Sequence, residues 1–197
     1  MAKKKAKKKV TKVNTKELEF KDAFKYPFNR PGGMLNILWL LLPIIGWFPL
    51  FGYTIRIIKN FVKGDFKELP SFSFGSDFKL GFFMFFKSIP FAIVYYVILM
   101  ATQKIQMLYI LVAIFLGVFV APVLTINFFK KETIGSYFEF TKLDYVFENI
   151  GDYLIAILKS IGLGLIFLVM MLVLVGIPAS AFTKNIFLAD FYRRKVK

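Results

Sequence analysis

The chain has 197 residues, of which 57% are hydrophobic and 19% aromatic, and its 27 basic and 12 acidic residues give a net charge of +15. Soluble domains are roughly 45–50% apolar, so the excess indicates a membrane protein with room for one helical bundle. Cysteine and histidine are absent, which excludes disulfides, thiol nucleophiles, histidine bases and His/Cys metal sites, and we expect no cofactor.

The first sixteen residues, MAKKKAKKKVTKVNTK, contain eight lysines and no aromatic residue. A signal peptide needs an apolar core close behind its basic region, whereas the first apolar run here begins at Met34. We expect residues 1–16 to form a retained, disordered cytoplasmic tail and residues 17–197 to form one helical membrane domain.

The lysine-rich tail predicts lipid rather than nucleic acid as a partner, because nucleic-acid surfaces interleave aromatic and basic residues. A tail that is simply solvated is the alternative. The predicted contacts with anionic lipid headgroups are Lys3, Lys4, Lys5, Lys7, Lys8 and Lys9.

The first apolar block lies between Arg30 and Arg56, which enclose 25 uncharged residues. Its middle reads LPIIGWFP, and Pro43, Gly46 and Pro49 interrupt a continuous helix there, since proline removes a helical hydrogen bond and clashes with the preceding turn. We expect these three residues to form the tip of a re-entrant hairpin. One proline-kinked transmembrane span is the alternative.

The second apolar block is a hairpin of two spans, because Lys104 separates uncharged runs of 16 and 25 residues between Lys87 and Lys130. The third block is centred on the 24 uncharged residues between Lys159 and Lys184. Since about 20 residues cross the hydrocarbon core, the third block forms either one span or, with its flanks, two helices between residues 151 and 192.

The distribution of basic residues distinguishes two topologies. Four simple spans leave 17 of the 27 basic residues on the cytoplasmic side, whereas three hairpins leave 26 there and only Lys104 outside. Short basic loops stay cytoplasmic. The sequence therefore predicts an all-α, polytopic helical bundle of three hairpins with interfacial amphipathic helices, in the cell membrane with both termini cytoplasmic; four simple spans are the alternative. The predicted interface anchors are Trp39, Trp47, Tyr53, Arg56, Arg193 and Arg194.

An aromatic, charged segment precedes each apolar block. The copies before the first and third blocks align, Glu19-Phe20 with Glu139-Phe140 and residues 28–32 with residues 147–151. Segments that mix Phe or Tyr with charged residues are typical of helices in the membrane interface. We interpret them as a weak threefold repeat, and aromatic-belt composition that happens to recur is the alternative.

The twelve carboxylates all lie outside the apolar blocks. Ion-coupled transporters usually hold an ionisable group within the membrane, and we expect the carboxylates, including Asp77 and Asp152, to be solvated surface charges. The sequence therefore predicts no catalytic site, and a scaffold or accessory subunit rather than an enzyme. A small-molecule or lipid transporter is the alternative. Its polar path would use Asn36, Thr54, Gln103, Gln106, Thr125 and Asn127, a set that leaves the middle of the membrane dry.

Several motifs in the chain resemble a known family. FKYPF precedes PIIGW, then LFGYTIRIIKNFVKG and LPSFSFGSDFKLG follow, with GDYL and FYRR later. Together they resemble domain-of-unknown-function family 4013, a group of uncharacterised archaeal and bacterial membrane proteins, over about residues 20–194. The family often has tryptophan where this chain has Phe72 or Phe74. The resemblance implies a polytopic helical membrane protein and no particular reaction. The individual residues of this chain that match the family pattern are Gly52, Tyr53, Arg56, Leu69, Pro70, Asp77 and Phe78.

Overall fold

The computed structural model describes residues 16–196. In this part of the chain the fold consists of helices joined by turns. No strand occurs in that part of the chain, which confirms the all-α prediction. Short 3₁₀ turns join several helices, and a π-helical turn at Leu116–Val120 joins α5 to α6. The helices are α1 (Phe20–Lys25), α2 (Pro31–Met34), α3 (Trp47–Lys63), α4 (Phe74–Thr102), α5 (Gln106–Phe115), α6 (Ala121–Lys131), α7 (Asp144–Glu148), α8 (Ile150–Met170), α9 (Gly176–Thr183) and α10 (Ile186–Lys195).

The first apolar block reverses direction between its 3₁₀ segment, Leu35–Leu41, and α3. The Gly46 amide donates to the Leu42 carbonyl at 2.9 Å, and a Cβ at Gly46 would overlap the Trp39 carbonyl oxygen. Only glycine therefore fits where the two arms touch. The seven-residue 3₁₀ arm covers about 14 Å, less than the roughly 30 Å of the hydrocarbon core.

The third apolar block reverses in a similar way after α8. Leu174 has a left-handed φ of 62°, as Ile44 has 63° in the first block, and each precedes a tightly packed glycine by two residues. A Cβ at Gly176 would overlap the Phe167 carbonyl oxygen. The block thus contains two arms, and the returning arm is itself interrupted between α9 and α10.

The second apolar block is the longest hairpin. Its arms are α4 and the continuous run Gln106–Lys131, and Lys104 lies in the turn between them. The helix from Lys87 to Thr102, the last residue of α4, rises about 23 Å. Within residues 16–196, three helices are long and apolar enough to cross a membrane, namely Phe74–Thr102, Gln106–Lys131 and Ile150–Val173.

The returning arms of the three hairpins form the centre of the bundle, because α3, α6 and α10 all contact one another. The closest helix packing joins α3 to α4, where Gly52 and Gly81 bring the two backbones together. Aromatic rings fill much of the remaining core: Tyr53 packs edge-on against Phe182 with centroids 5.2 Å apart. The charged ends of these central helices are thereby held close to one another.

Candidate functional site

Ion pairs link charged side chains of several described helices and of the segments next to them, and we call this set of paired residues the charged layer. Lys59 of α3 pairs with Glu132 after α6, and Lys87 of α4 donates to the Glu132 carbonyl at 2.8 Å. Exposed ion pairs contribute only about 0–1 kcal/mol each to stability. Their main significance is that they identify which chain segments lie next to one another. Further pairs in the layer are Arg194–Glu17, Lys159–Glu17, Lys131–Glu139 and Lys195–Asp152.

A buried ion pair ties α3 to the start of α4. The Asp77 side chain is 0% exposed; its Oδ1 lies 2.6 Å from Arg56 Nε and its Oδ2 accepts from Arg56 Nη2 at 2.9 Å. The Ser73 amide also donates to Oδ2, at 2.8 Å. Only the contact to Oδ2 is a hydrogen bond, and the contact between Arg56 Nε and Oδ1 adds attraction between the two charges alone. The prediction that Asp77 is a solvated surface charge is wrong, because the first turn of α4 packs directly against α3.

A second buried carboxylate ties α10 to the N-terminal segment. Asp190 is 1% exposed and accepts from Arg193 Nη2 at 2.5 Å and from Arg194 Nε at 2.9 Å. It also accepts from the Leu18 amide at 3.1 Å. Since a buried carboxylate is costly unless it is paired, these donors account for its position. Asp190 therefore anchors the segment before α1 to the last helix.

A polar network links α6 and α10 to the segment that follows α6. The Tyr192 hydroxyl donates to Asn127 Oδ1 at 2.6 Å, and Asn127 Nδ2 donates to the Ser136 carbonyl and to Glu139. The Lys131 ammonium, which donates to Glu139, holds the pKa of that carboxyl below its ordinary value. The Lys131–Glu139 interaction therefore stabilises the fold at neutral pH and is lost as the pH falls through the lowered pKa of Glu139.

The long helices beyond the charged layer expose large apolar side chains. Ile93 of α4, Ile114 of α5 and Leu165 of α8 are each more than half exposed. Contiguous apolar surface of this extent is unusual on a soluble monomer, and it occurs on the three helices that are long enough to cross a membrane. Exposed apolar surface of this kind is typical of helices that cross a membrane.

Comparison with known proteins places the chain in a family. A family model matches residues 35–176, which is well over half of the chain. The chain belongs to the family described as protein of unknown function DUF4013. Searches of curated proteins and of solved structures found no match. Membership of DUF4013 confirms the resemblance seen in the motifs and assigns no reaction.

The structure locates the residues predicted for the tip of the first hairpin. Pro43 and Gly46 lie in the reversal between the two arms, and Pro49 lies in the first turn of α3, where proline is tolerated because its missing amide is not needed. The tail residues Lys3, Lys4, Lys5, Lys7, Lys8 and Lys9 lie outside the described residues.

The predicted interface anchors have different environments. Trp47 is 53% exposed, and Trp39 is half-buried, with its ring stacked on Phe72 at 5.7 Å. Tyr53 and Arg193 do not anchor the chain in lipid, because Tyr53 is buried with its hydroxyl bonded to the Pro70 carbonyl and the Arg193 side chain is 2% exposed. The remaining two predicted anchors, Arg56 and Arg194, are largely buried against the carboxylates already described.

Sequence reasoning missed the two buried carboxylates. For Asp190, the signal was present in the spacing, because Arg193 and Arg194 follow it by three and four residues and so share a helix face with it. For Asp77, the only sequence signal was its position in the first turn of a helix. An acidic residue is favoured there whether it is buried or exposed, so this signal does not predict burial. Its partner Arg56 lies 21 residues away, on another helix.

Proposed function

We propose that the protein is a non-enzymatic scaffold or accessory subunit of the cell membrane that holds a cationic face at the cytoplasmic surface. The observation that supports this is the charged layer, to which all three hairpins contribute paired basic residues, together with helices whose sides are apolar. Lys104, in the turn after α4, is separated from Lys87 by about 23 Å of helix, most of the thickness of a hydrocarbon core. A cationic face suits an acidic partner or an anionic membrane surface.

A small-molecule or lipid transporter is the second candidate. Short hairpins that break within the membrane line polar pathways in transporters, and the reversals at Gly46 and Gly176 favour this function. Such a pathway needs polar groups that face one another. Against this function, Asn36 bonds to the Gly33 carbonyl and Thr54 to the Leu50 carbonyl. Asn127 is occupied by the network with Tyr192.

Site-specific photo-cross-linking in the native membrane tests the scaffold. A cross-linking amino acid is placed at Lys67 or Glu148, both exposed, and at Lys104 as the control beyond the charged layer. We expect a discrete protein adduct of constant mass from position 67 or 148 and none from position 104. Two results together would contradict the proposed scaffold function: no adduct at any of the three positions, and transport of solute by the protein purified into vesicles.

Cysteine labelling tests the sidedness of the charged layer. The chain has no native cysteine, and Asp65, Thr133 and Lys104 are exposed. In intact cells, Asp65→Cys and Thr133→Cys are expected to resist an impermeant thiol reagent until lysis, and Lys104→Cys is expected to react at once. Labelling of Asp65→Cys before lysis, with Lys104→Cys protected, restores the topology of four simple spans.

A further inference from the structure

The returning arms of the three hairpins end around one basic cavity. Its volume is about 290 Å³, at the lower end of the roughly 300–1,000 Å³ typical of ligand pockets. Side chains from α3, α6 and α10 line it, so each hairpin contributes. Four of the lining residues are cationic and none is acidic. The lining consists of Lys59, Val62, Lys63, Lys130, Arg193 and Val196.

The positive charge of this cavity is only half balanced. Lys59 pairs with Glu132, and Arg193 pairs with Asp190. Lys63 and Lys130 take part in no ion pair within residues 16–196. Two cationic side chains with no carboxylate opposite them therefore face the same cavity.

The architecture of the helices does not account for this excess. The negative ends of helix dipoles favour basic residues in the last turns of α3, α6 and α10, but a dipole does not fill a cavity. The Lys130 ammonium lies 5.1 Å from the centroid of the Tyr192 ring, a cation–π contact that supplies no hydrogen-bond acceptor to its three donors. An anion rich in oxygen atoms would supply both the charge and the acceptors.

Residue 16, the first of the described residues, lies next to one of the lining side chains. Arg193 Nη2 donates to the Lys16 carbonyl at 2.7 Å. The basic side chains that line the cavity attract anions, and this attraction weakens with salt.

We propose that this cavity binds a phosphate group. Phosphate offers several strong acceptor oxygens with a charge near −2, and lysine is a common point-charge ligand for it. Val62 and Val196 complete the wall with apolar surface. The group comes either from an anionic phospholipid headgroup, since basic pockets at the ends of membrane helices bind such headgroups, or from a free phosphate or pyrophosphate. Only the lipid source rests on the proposed function.

The test removes the two unpaired charges and keeps the size of the side chains. The pocket variant is Lys63→Gln with Lys130→Gln, and the matched control is Lys67→Gln with Lys184→Gln, two exposed lysines outside the cavity. A rescue variant, Lys63→Arg with Lys130→Arg, restores the charge. The melting temperature of each purified protein without ligand verifies that it is folded.

Two probes separate the two sources of phosphate. Pyrophosphate is titrated calorimetrically against the detergent-solubilised full chain, and phosphatidic acid or phosphatidylcholine is offered in nanodiscs with retained lipid counted by native mass spectrometry. We expect the wild type and the control to bind at least one phosphate probe, the pocket variant to bind it at least tenfold more weakly, and the rescue variant to recover most of the affinity. Pyrophosphate binding alone indicates a free ligand, and selective retention of phosphatidic acid indicates a headgroup.

Two results overturn the phosphate site. One is the absence of binding by the wild type to either phosphate probe. The other is an equal loss in the control and pocket variants, which would mean general attraction by surface charge. The titration in detergent requires neither a bilayer nor a protein partner, so its failure leaves the scaffold untouched. A failure to cross-link a partner likewise leaves the cavity untouched.

Discussion

Replacing Asp77 by alanine is expected to lower the free energy of unfolding by about 3–5 kcal/mol, the typical cost of removing one partner of a buried ion pair. Arg56 would keep its charge against the α3–α4 interface with no carboxylate opposite it, and the Ser73 amide would lose its acceptor. Thermal or denaturant unfolding in detergent measures the effect. Asp65→Ala is the matched control, because Asp65 is exposed and enters no ion pair among the described residues, and it should change the free energy by less than about 0.5 kcal/mol.

A paired replacement separates the loss of the interaction from the cost of the orphaned charge. The double variant Arg56→Met with Asp77→Leu removes both charges, and apolar replacements of a buried pair are frequently neutral. We expect it to recover most of the stability that Asp77→Ala loses. A single variant as stable as the control would show that water reaches Asp77 and that the ion pair is not buried.

The reversals of the chain could be predicted from the sequence because they depend on features that are local. Pro43, Gly46 and Pro49 disfavour a continuous helix wherever they are placed, and the asymmetry of the basic residues requires no knowledge of contacts. The structure agrees at the level of the chain path: the first and third blocks reverse at a glycine that lies against the backbone of the preceding arm.

The basic cavity and the buried carboxylates could not be predicted in this way, because they depend on which helix ends converge. Lys63, Lys130 and Arg193 are far apart in the chain, and each alone is an ordinary basic residue near a helix end. The break between α9 and α10 also escaped prediction, since VGIPASAFTKNIFLADFY has no proline or glycine at the point of interruption. Tertiary packing, rather than local propensity, decides such features.

Replacing Gly46 by alanine is expected to destabilise the protein by about 1–3 kcal/mol, the usual cost of forcing an extra methyl group into packed structure. The new Cβ would overlap the Trp39 carbonyl, which belongs to the backbone and moves only if the two arms separate. Gly176→Ala should act in the same way at the third hairpin, against the Phe167 carbonyl. Unfolding in detergent measures both variants.

The matched control for these hairpin variants is expected to change the stability in the opposite direction. Gly164 lies inside α8, and a methyl group added there would meet no atom within 4 Å, so Gly164→Ala should gain up to about 1 kcal/mol from the higher helix propensity of alanine. A continuous helix through residues 31–55 would gain from Gly46→Ala for the same reason. The two chain paths therefore predict changes in stability of opposite sign for Gly46→Ala. Stabilisation equal to that of Gly164→Ala would mean that the first block crosses once as a kinked span. Destabilisation by both Gly46→Ala and Gly176→Ala requires two closed hairpins.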